Sequence, residues 1–250
     1  MTRRNMTYNI ITIGCQMNRA DSERLAFYLE NLGFKSEKNF LKSDLVILVS
    51  CGVKQAAEDR IYGLAHRIMK NNKKAIIALT GCLSDRPDVK SRLAKNVQIY
   101  FNISTLPSLN NILKKYFPKI KKISKSKIKN YLDLTVKRSS SFSALVPIGN
   151  GCNNFCSYCV VPYARGREVY RSSTDIINEV KNLLKEGYKE ITLIAQNVNS
   201  YKSGQTDFPK LLEKIDKLPG KFWLRFSTSH PKDVSPKLIK VLKNSHNVCE

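Results

Sequence analysis

Apolar residues follow two alternating patterns along most of the chain. Tyr8 to Ile13 is a short run rich in β-branched residues, while Asp44–Ser50 (DLVILVS) and Lys74–Thr80 (KAIIALT) are nearly continuous apolar runs of strand length. Between them the spacing turns helical. Asp21–Asn31 puts Leu25, Tyr28 and Leu29 on one face and stops at Gly33, and Lys54–Asn71 holds a second helical stretch. A weaker strand, Val97–Phe101, and a helix over Leu106–Tyr116 follow. A strand covered on both faces has no reason to alternate polar and apolar residues, so this arrangement predicts a parallel sheet with helices on each side. The fold class expected for residues 1–117 is α/β, a flavodoxin-like parallel-sheet domain.

The pattern breaks at residues 114–138, which hold ten Lys or Arg against one Asp. With little apolar periodicity and strong like-charge excess, residues 118–140 read as a basic linker, either a solvated tether or a strip that touches nucleic acid. From about Ser141 strands and helices resume. Ala144–Gly149, Glu190–Ala195 and Phe222–Phe226 have strand character. Thr174–Glu186 has a helical apolar face of Ile176, Ile177, Val180, Leu183 and Leu184, with Ser173 as its expected cap and Gly187 at its end. Helices over Pro209–Leu218 and Ser235–Asn244 complete the pattern, and Asn247–Glu250 resembles the start of another strand. Strand–helix units at this spacing fit a (β/α) barrel, but too few are present to close one. Residues 141–250 are thus expected to form a partial barrel.

Composition narrows the partners. The formal net charge is +23, an excess that attracts polyanions, nucleic acid first and an anionic membrane surface second, although a lysine-rich composition can also arise without either. The start of the chain has no apolar core of a signal peptide, and no apolar run reaches bilayer length, so a cytoplasmic protein without membrane attachment is expected. The seven cysteines are an odd number, which favours metal or catalytic use over disulfides.

Three of them lie in Gly149-Asn150-Gly151-Cys152-Asn153-Asn154-Phe155-Cys156-Ser157-Tyr158-Cys159, spaced C-x3-C-x2-C directly after a strand. Three thiolates on one loop can hold three irons of a [4Fe–4S] cube and leave the fourth open to a small molecule. Zinc would call for a fourth protein ligand from elsewhere. Barrel chemistry gathers at the carboxyl ends of strands, which also places Gln196, Asn197 and Ser227–His230 near Cys152. Gln196 and Asn197 are candidate polar contacts to a cofactor or substrate, or loop residues serving their own backbone. Cys15, Cys51 and Cys82 each follow a predicted parallel strand, the edge where open α/β sheets bind ligands. Three such thiolates could grip a second cluster. Cys249 reads as a core residue.

These residues resemble a known family. The C-x3-C-x2-C loop with an aromatic residue before its last cysteine, Tyr158, resembles the radical S-adenosylmethionine (SAM) superfamily. Within it, Gly14-Cys15-Gln16-Met17-Asn18, Asp21-Ser22-Glu23, Ser50-Cys51, Ala57-Glu58-Asp59-Arg60 and Thr80-Gly81-Cys82 are similar to the opening of the methylthiotransferases. Val160-Val161-Pro162-Tyr163-Ala164-Arg165-Gly166-Arg167-Glu168, Gln196-Asn197-Val198-Asn199-Ser200-Tyr201 and Thr228-Ser229-His230-Pro231 are similar to the branch that acts on tRNA. The resemblance spans nearly the whole chain. Val49-Ser50-Cys51 stands where members usually have Asn-Thr-Cys, and members continue through the rest of the barrel to a small RNA-binding β-barrel that these residues do not include.

The resemblance implies an enzyme with SAM and two [4Fe–4S] clusters. Cys152, Cys156 and Cys159 would hold the cluster that splits SAM, and Cys15, Cys51 and Cys82 the one that carries sulfur. The implied reaction adds a methylthio group to C2 of N6-isopentenyladenosine beside the tRNA anticodon. It implies tRNA, a flavodoxin- or ferredoxin-type reductant and a sulfur donor as partners, with both clusters serving one cavity. Tyr158 would pack on the adenine of SAM, and Arg165, Arg167 and Arg171 would meet tRNA phosphates or the SAM carboxylate. Sibling reactions, on threonylcarbamoyl-adenosine of tRNA or on an aspartate of a ribosomal protein, are the near alternative. A non-catalytic iron–sulfur redox protein or an RNA-binding protein with structural zinc is the alternative of another class.

Overall fold

The computed structural model describes residues 6–121, 131–134 and 136–249. Most of the basic linker expected at 118–140 therefore lies outside the described residues. The chain divides into two compact units. One holds the residues up to Lys137 together with Cys156–Arg165, and the other holds Arg138–Phe155 with the residues from Gly166 onward. This departs from the boundaries expected from the sequence. Ten residues containing Cys156 and Cys159 belong with the first unit, not with the barrel. The described end of the linker is not a solvated tether either, since Tyr131 and Leu132 are buried.

The first unit is built on strands β1 (Thr7–Ile13), β2 (Lys35–Ser36), β3 (Leu45–Ser50), β4 (Ile76–Gly81) and β5 (Ile99–Tyr100). Their order is β2-β1-β3-β4-β5 and every pairing is parallel, the flavodoxin order. Connecting them are α1 (Gln16–Asn31), α2 (Gln55–Asn71), α3 (Pro87–Leu93) and α4 (Leu109–Leu113), and the inserted segment adds α5 (Val161–Arg165). All six residues of β3 are buried, which is why its sequence shows no alternation. Val46, Leu48, Ile61, Ile68 and Leu79 share one fully buried cluster, each such side chain stabilising the fold by about 1.5–3 kcal/mol.

Several elements differ from expectation. Helix α1 starts at Gln16, a full turn before the apolar spacing begins, because its first turns bury polar residues that have partners. The helix expected over Leu106–Tyr116 is a 3-10 turn, Ile103–Ser108, followed by the short α4, since Pro107 cannot donate within a longer helix. The fifth strand keeps only two residues.

The second unit has β6 (Ser143–Pro147), a hairpin of β7 (Gly149–Asn150) with β8 (Val169–Tyr170), then α6 (Ser173–Lys185) and β9 (Glu190–Ile194). A small hairpin of β10 (Lys202–Ser203) and β11 (Thr206–Asp207) leads into α7 (Phe208–Asp216), β12 (Trp223–Ser227) and α8 (Pro236–Asn244). Strands β6, β9 and β12 form a parallel sheet in the order β12-β9-β6. Val146, Ile176, Leu193, Phe208 and Leu224 pack in its core. The cap of α6 is Ser172, not Ser173; its hydroxyl accepts from the Asp175 N–H. Val248 bridges Leu224 in parallel, so the strand expected at the chain end begins where the next barrel strand belongs. Cys249 beside it is only half-buried, which corrects its reading as a core residue. Among the described residues no helix is long and apolar enough to cross a membrane.

Candidate functional site

In the first unit the three cysteines stand on three neighbouring strands. Register aligns Ile13 with Ser50 and Ser50 with Gly81 across β1, β3 and β4. The ladder continues past the strand ends. The Cys51 N–H donates to the Ile13 carbonyl at 2.9 Å and the Cys82 N–H to that of Ser50 at 3.0 Å. Cys15 follows β1 and caps α1. All three therefore leave the same carboxyl edge of the sheet, as the spacing predicts, with Cys15 exposed and Cys51 and Cys82 buried.

The residues around them hold this edge in shape. Asn18 Oδ1 accepts from the Cys15 backbone N–H at 3.2 Å and from its thiol at 3.3 Å, while Nδ2 donates to the Ser50 carbonyl at 3.2 Å. Gly81 has φ +91°, and a Cβ there would lie 2.3 Å from the Ser50 carbonyl oxygen, so only glycine delivers Cys82 to this position. Spacing does not single out Asn18; its place in Gly-Cys-x-x-Asn, three residues into a helix, is the available signal.

Arg165 belongs to the same neighbourhood. Its side chain is 2% exposed and pairs at 2.7 Å with Asp21, which is fully buried. The Tyr131 hydroxyl donates to the other Asp21 oxygen at 3.2 Å. Burial pushes the Cys82 thiol up, and the Arg165 guanidinium, hydrogen-bonded to it, works against that rise. Burial also disfavours the charge on Arg165, but Asp21, Tyr131 and Cys82 outweigh it and hold the group cationic. Arg165 is thus not a surface arginine awaiting phosphate. Its guanidinium meets Asp21 and Cys82, which corrects the expectation of a tRNA contact. Tyr158, expected on the adenine of SAM, is 85% exposed.

In the second unit Cys152 is buried and follows the β7–β8 hairpin. Its N–H donates to the Gly166 carbonyl at 3.1 Å. The Glu168 carboxylate accepts from the next backbone N–H, that of Asn153, at 3.2 Å, and also from the Ser200 and Tyr170 hydroxyls. Burial and this carboxylate raise the Tyr170 phenol well above its ordinary range. Glu168 is a second residue that spacing leaves unmarked. Arg171 is buried and pairs with Glu179 at 2.6 Å, so it too is structural; Arg167 is exposed and stacks over Phe155.

Gly151 has φ +83°, and a Cβ on it would sit 2.1 Å from the Arg167 carbonyl oxygen. Left-handed backbone alone costs a non-glycine residue about 1–3 kcal/mol, and this clash is with main chain that cannot swing aside. Gly151→Ala is therefore expected to displace Cys152 and to cut the iron retained after anaerobic reconstitution by about half, the share of one cube in two. Unchanged iron in that variant would contradict this reading of the turn.

At the carboxyl ends of β9 and β12 the two expected contacts part ways. Asn197 is buried and committed: Nδ2 donates to Asp233 at 2.6 Å and Oδ1 accepts from the His230 N–H at 3.2 Å. It ties the loop after β9 to the loop after β12, which corrects its reading as a cofactor contact. Gln196 differs. Its Oε1 is buried with no hydrogen-bond partner, an acceptor left open at the strand end where barrel ligands sit.

The donor sets fit iron–sulfur cubes. All six cysteines are free thiols. Among the described residues no three His, Cys, Asp or Glu side chains stand as close as a single metal ion requires. A cube asks for something else: each thiolate takes its own iron, so the sulfurs stand farther apart than donors to one ion.

Two family models match the chain, the Uncharacterized protein family UPF0004 over residues 7–102 and the Radical SAM superfamily over residues 146–249. Among curated proteins, the tRNA-2-methylthio-N(6)-dimethylallyladenosine synthase of Finegoldia magna is 39% identical, over 98% of this chain and 55% of its own length. Its counterpart in Carboxydothermus hydrogenoformans is 38% identical, over 98% of this chain and 58% of that protein. The chain belongs to the radical SAM methylthiotransferase family. This member spans just over half the length of the curated relatives it matches. The fold agrees as well. The radical S-adenosylmethionine methyltransferase TsrM of Kitasatospora setae, solved with tryptophan and a SAM analogue, superimposes with a TM-score of 0.65 at 13% identity, over 95% of this chain and 57% of that one. A second structure of TsrM, with cobalamin and a [4Fe-4S] cluster, gives 0.64 at 14% identity, over 95% of this chain and 58% of that one.

Proposed function

We propose that this methylthiotransferase chain serves a cytoplasmic enzyme that adds a methylthio group to C2 of N6-isopentenyladenosine beside the anticodon of tRNA. The observation that carries the proposal is the placement of Cys15, Cys51 and Cys82 at three adjacent parallel strand ends, beside a C-x3-C-x2-C loop that opens a second parallel β/α unit. The curated relatives named above supply the substrate class.

Cys152, Cys156 and Cys159 would hold one [4Fe–4S] cluster, and Cys15, Cys51 and Cys82 the other. With SAM on its open iron, a reduced cluster supplies a carbon radical able to take hydrogen from an aromatic C–H that no acid or base could usefully deprotonate. The chain's own groups do the positioning. Glu168 holds the backbone after Cys152, and Gln196 offers its open carbonyl oxygen to the amino group of SAM. Arg167, exposed at the end of the cysteine loop, is a contact for tRNA phosphate, aided by the net charge of +23. A flavodoxin- or ferredoxin-type reductant and a separate sulfur donor complete the set of partners.

Nucleoside mass spectrometry of tRNA from a deletion strain tests the reading. The expected result is loss of the methylthio-isopentenyladenosine signal with build-up of unmodified isopentenyladenosine. An unchanged methylthio nucleoside would sink the proposal. Loss of a methylthio-threonylcarbamoyl nucleoside instead would point to the sibling reaction.

A further inference from the structure

A buried ion pair beside a thiol that is to bind a cluster is an unusual use of charge. Removing two ions from water is costly, and apolar residues of similar volume often serve stability as well. Arg165 and Asp21 are nevertheless both buried, 2.7 Å apart, with Tyr131 on the second carboxylate oxygen. The guanidinium is planar, carries a permanent charge and has five donors in a fixed fork. Asp21 occupies part of that fork, and another part reaches the Cys82 sulfur. Asp21 comes from α1, two turns from its start beside Cys15, and Arg165 ends α5. Every member of this chain of contacts lies in the first unit.

We propose that Arg165 is a positioning residue for the first-unit cluster: clamped by Asp21, it donates a hydrogen bond to the Cys82 sulfur and sets the reduction potential of the cluster held there. This rests on the reading of Cys15, Cys51 and Cys82 as cluster ligands. Reduction adds a negative charge to a cluster, so a fixed cation and a hydrogen bond at a ligand sulfur favour the reduced form and raise the potential. Asp21 acts in the opposite sense and also keeps the guanidinium from turning away.

The test uses the full chain, reconstituted anaerobically, with Cys152, Cys156 and Cys159 replaced by Ala so that one cluster remains. Iron is counted, and the midpoint potential is read by EPR-monitored titration in four proteins: the parent, Arg165→Gln, Arg165→Lys and Asp21→Asn. Arg165→Gln should retain iron and shift the reduction equilibrium at least tenfold toward the oxidised form, about 59 mV for one electron. Asp21→Asn should shift it the other way, and Arg165→Lys should recover most of the parent value. A general loosening of the fold cannot produce shifts of opposite sign. Equal potentials in all four proteins would overturn the proposal. So would loss of iron in Arg165→Gln combined with an unmoved potential in Asp21→Asn, which leaves Arg165 a purely structural part. If the parent itself binds no iron, the ligand reading fails, and that outcome is distinct from the others.

Discussion

Chains carrying Cys152→Ala, Cys156→Ala or Cys159→Ala are expected to form no detectable 5′-deoxyadenosine when reduced with dithionite in the presence of SAM. A cube that loses one of three thiolates loses an iron corner and the geometry that keeps the fourth corner open. The iron count should fall from about eight per chain to about four, because the other trio is untouched. Cys15→Ala, Cys51→Ala and Cys82→Ala should give the mirror result. Iron again falls to about four, yet SAM is still cleaved, and only methylthio transfer is lost. The two sets of variants thus separate making the radical from delivering sulfur. If both sets abolish SAM cleavage alike, or neither changes the iron count, two separate clusters are not what these cysteines hold.

The second large effect is on stability. Asp21→Ala leaves the Arg165 guanidinium buried without its carboxylate, and stranding one partner of a buried pair costs about 3–5 kcal/mol. Against a typical domain stability of about 5–15 kcal/mol, that is a large fraction of the whole. Chemical denaturation of the metal-free chain should show the midpoint falling by this amount. Asp21→Ala combined with Arg165→Met should recover most of it, since the cost lies in the unpaired charge and not in the loss of the pair. A single variant as stable as the parent would show that solvent reaches the guanidinium.

Much of the fold was legible because it rests on burial. The strands at 44–50 and 74–80 are apolar throughout since helices cover both faces of the sheet, and their spacing implied that Cys51 and Cys82 would emerge on one edge. Cys15 was legible for the same reason. The rest depended on pairings that spacing does not encode. Helix α1 starts a turn early because Asn18 and Asp21 find partners at Ser50 and Arg165, contacts 32 and 144 residues away along the chain. Arg165 looked like a phosphate ligand beside Arg167, since an arginine carries no mark of the carboxylate that will claim it. Asn197 and Gln196 are adjacent and similar in chemistry, yet one is spent on Asp233 and the other is open. That difference comes from the loop after β12, and a local reading had no access to it.

The excursion of residues 156–165 into the first unit bears on how the polypeptide can be divided. A fragment ending near residue 140 would look like a whole domain by length and strand order, yet it would carry Asp21 into a dry interior with no cation to meet it. Its missing piece is encoded downstream, so the sheet on which translation begins is finished only after the second cysteine loop has been made.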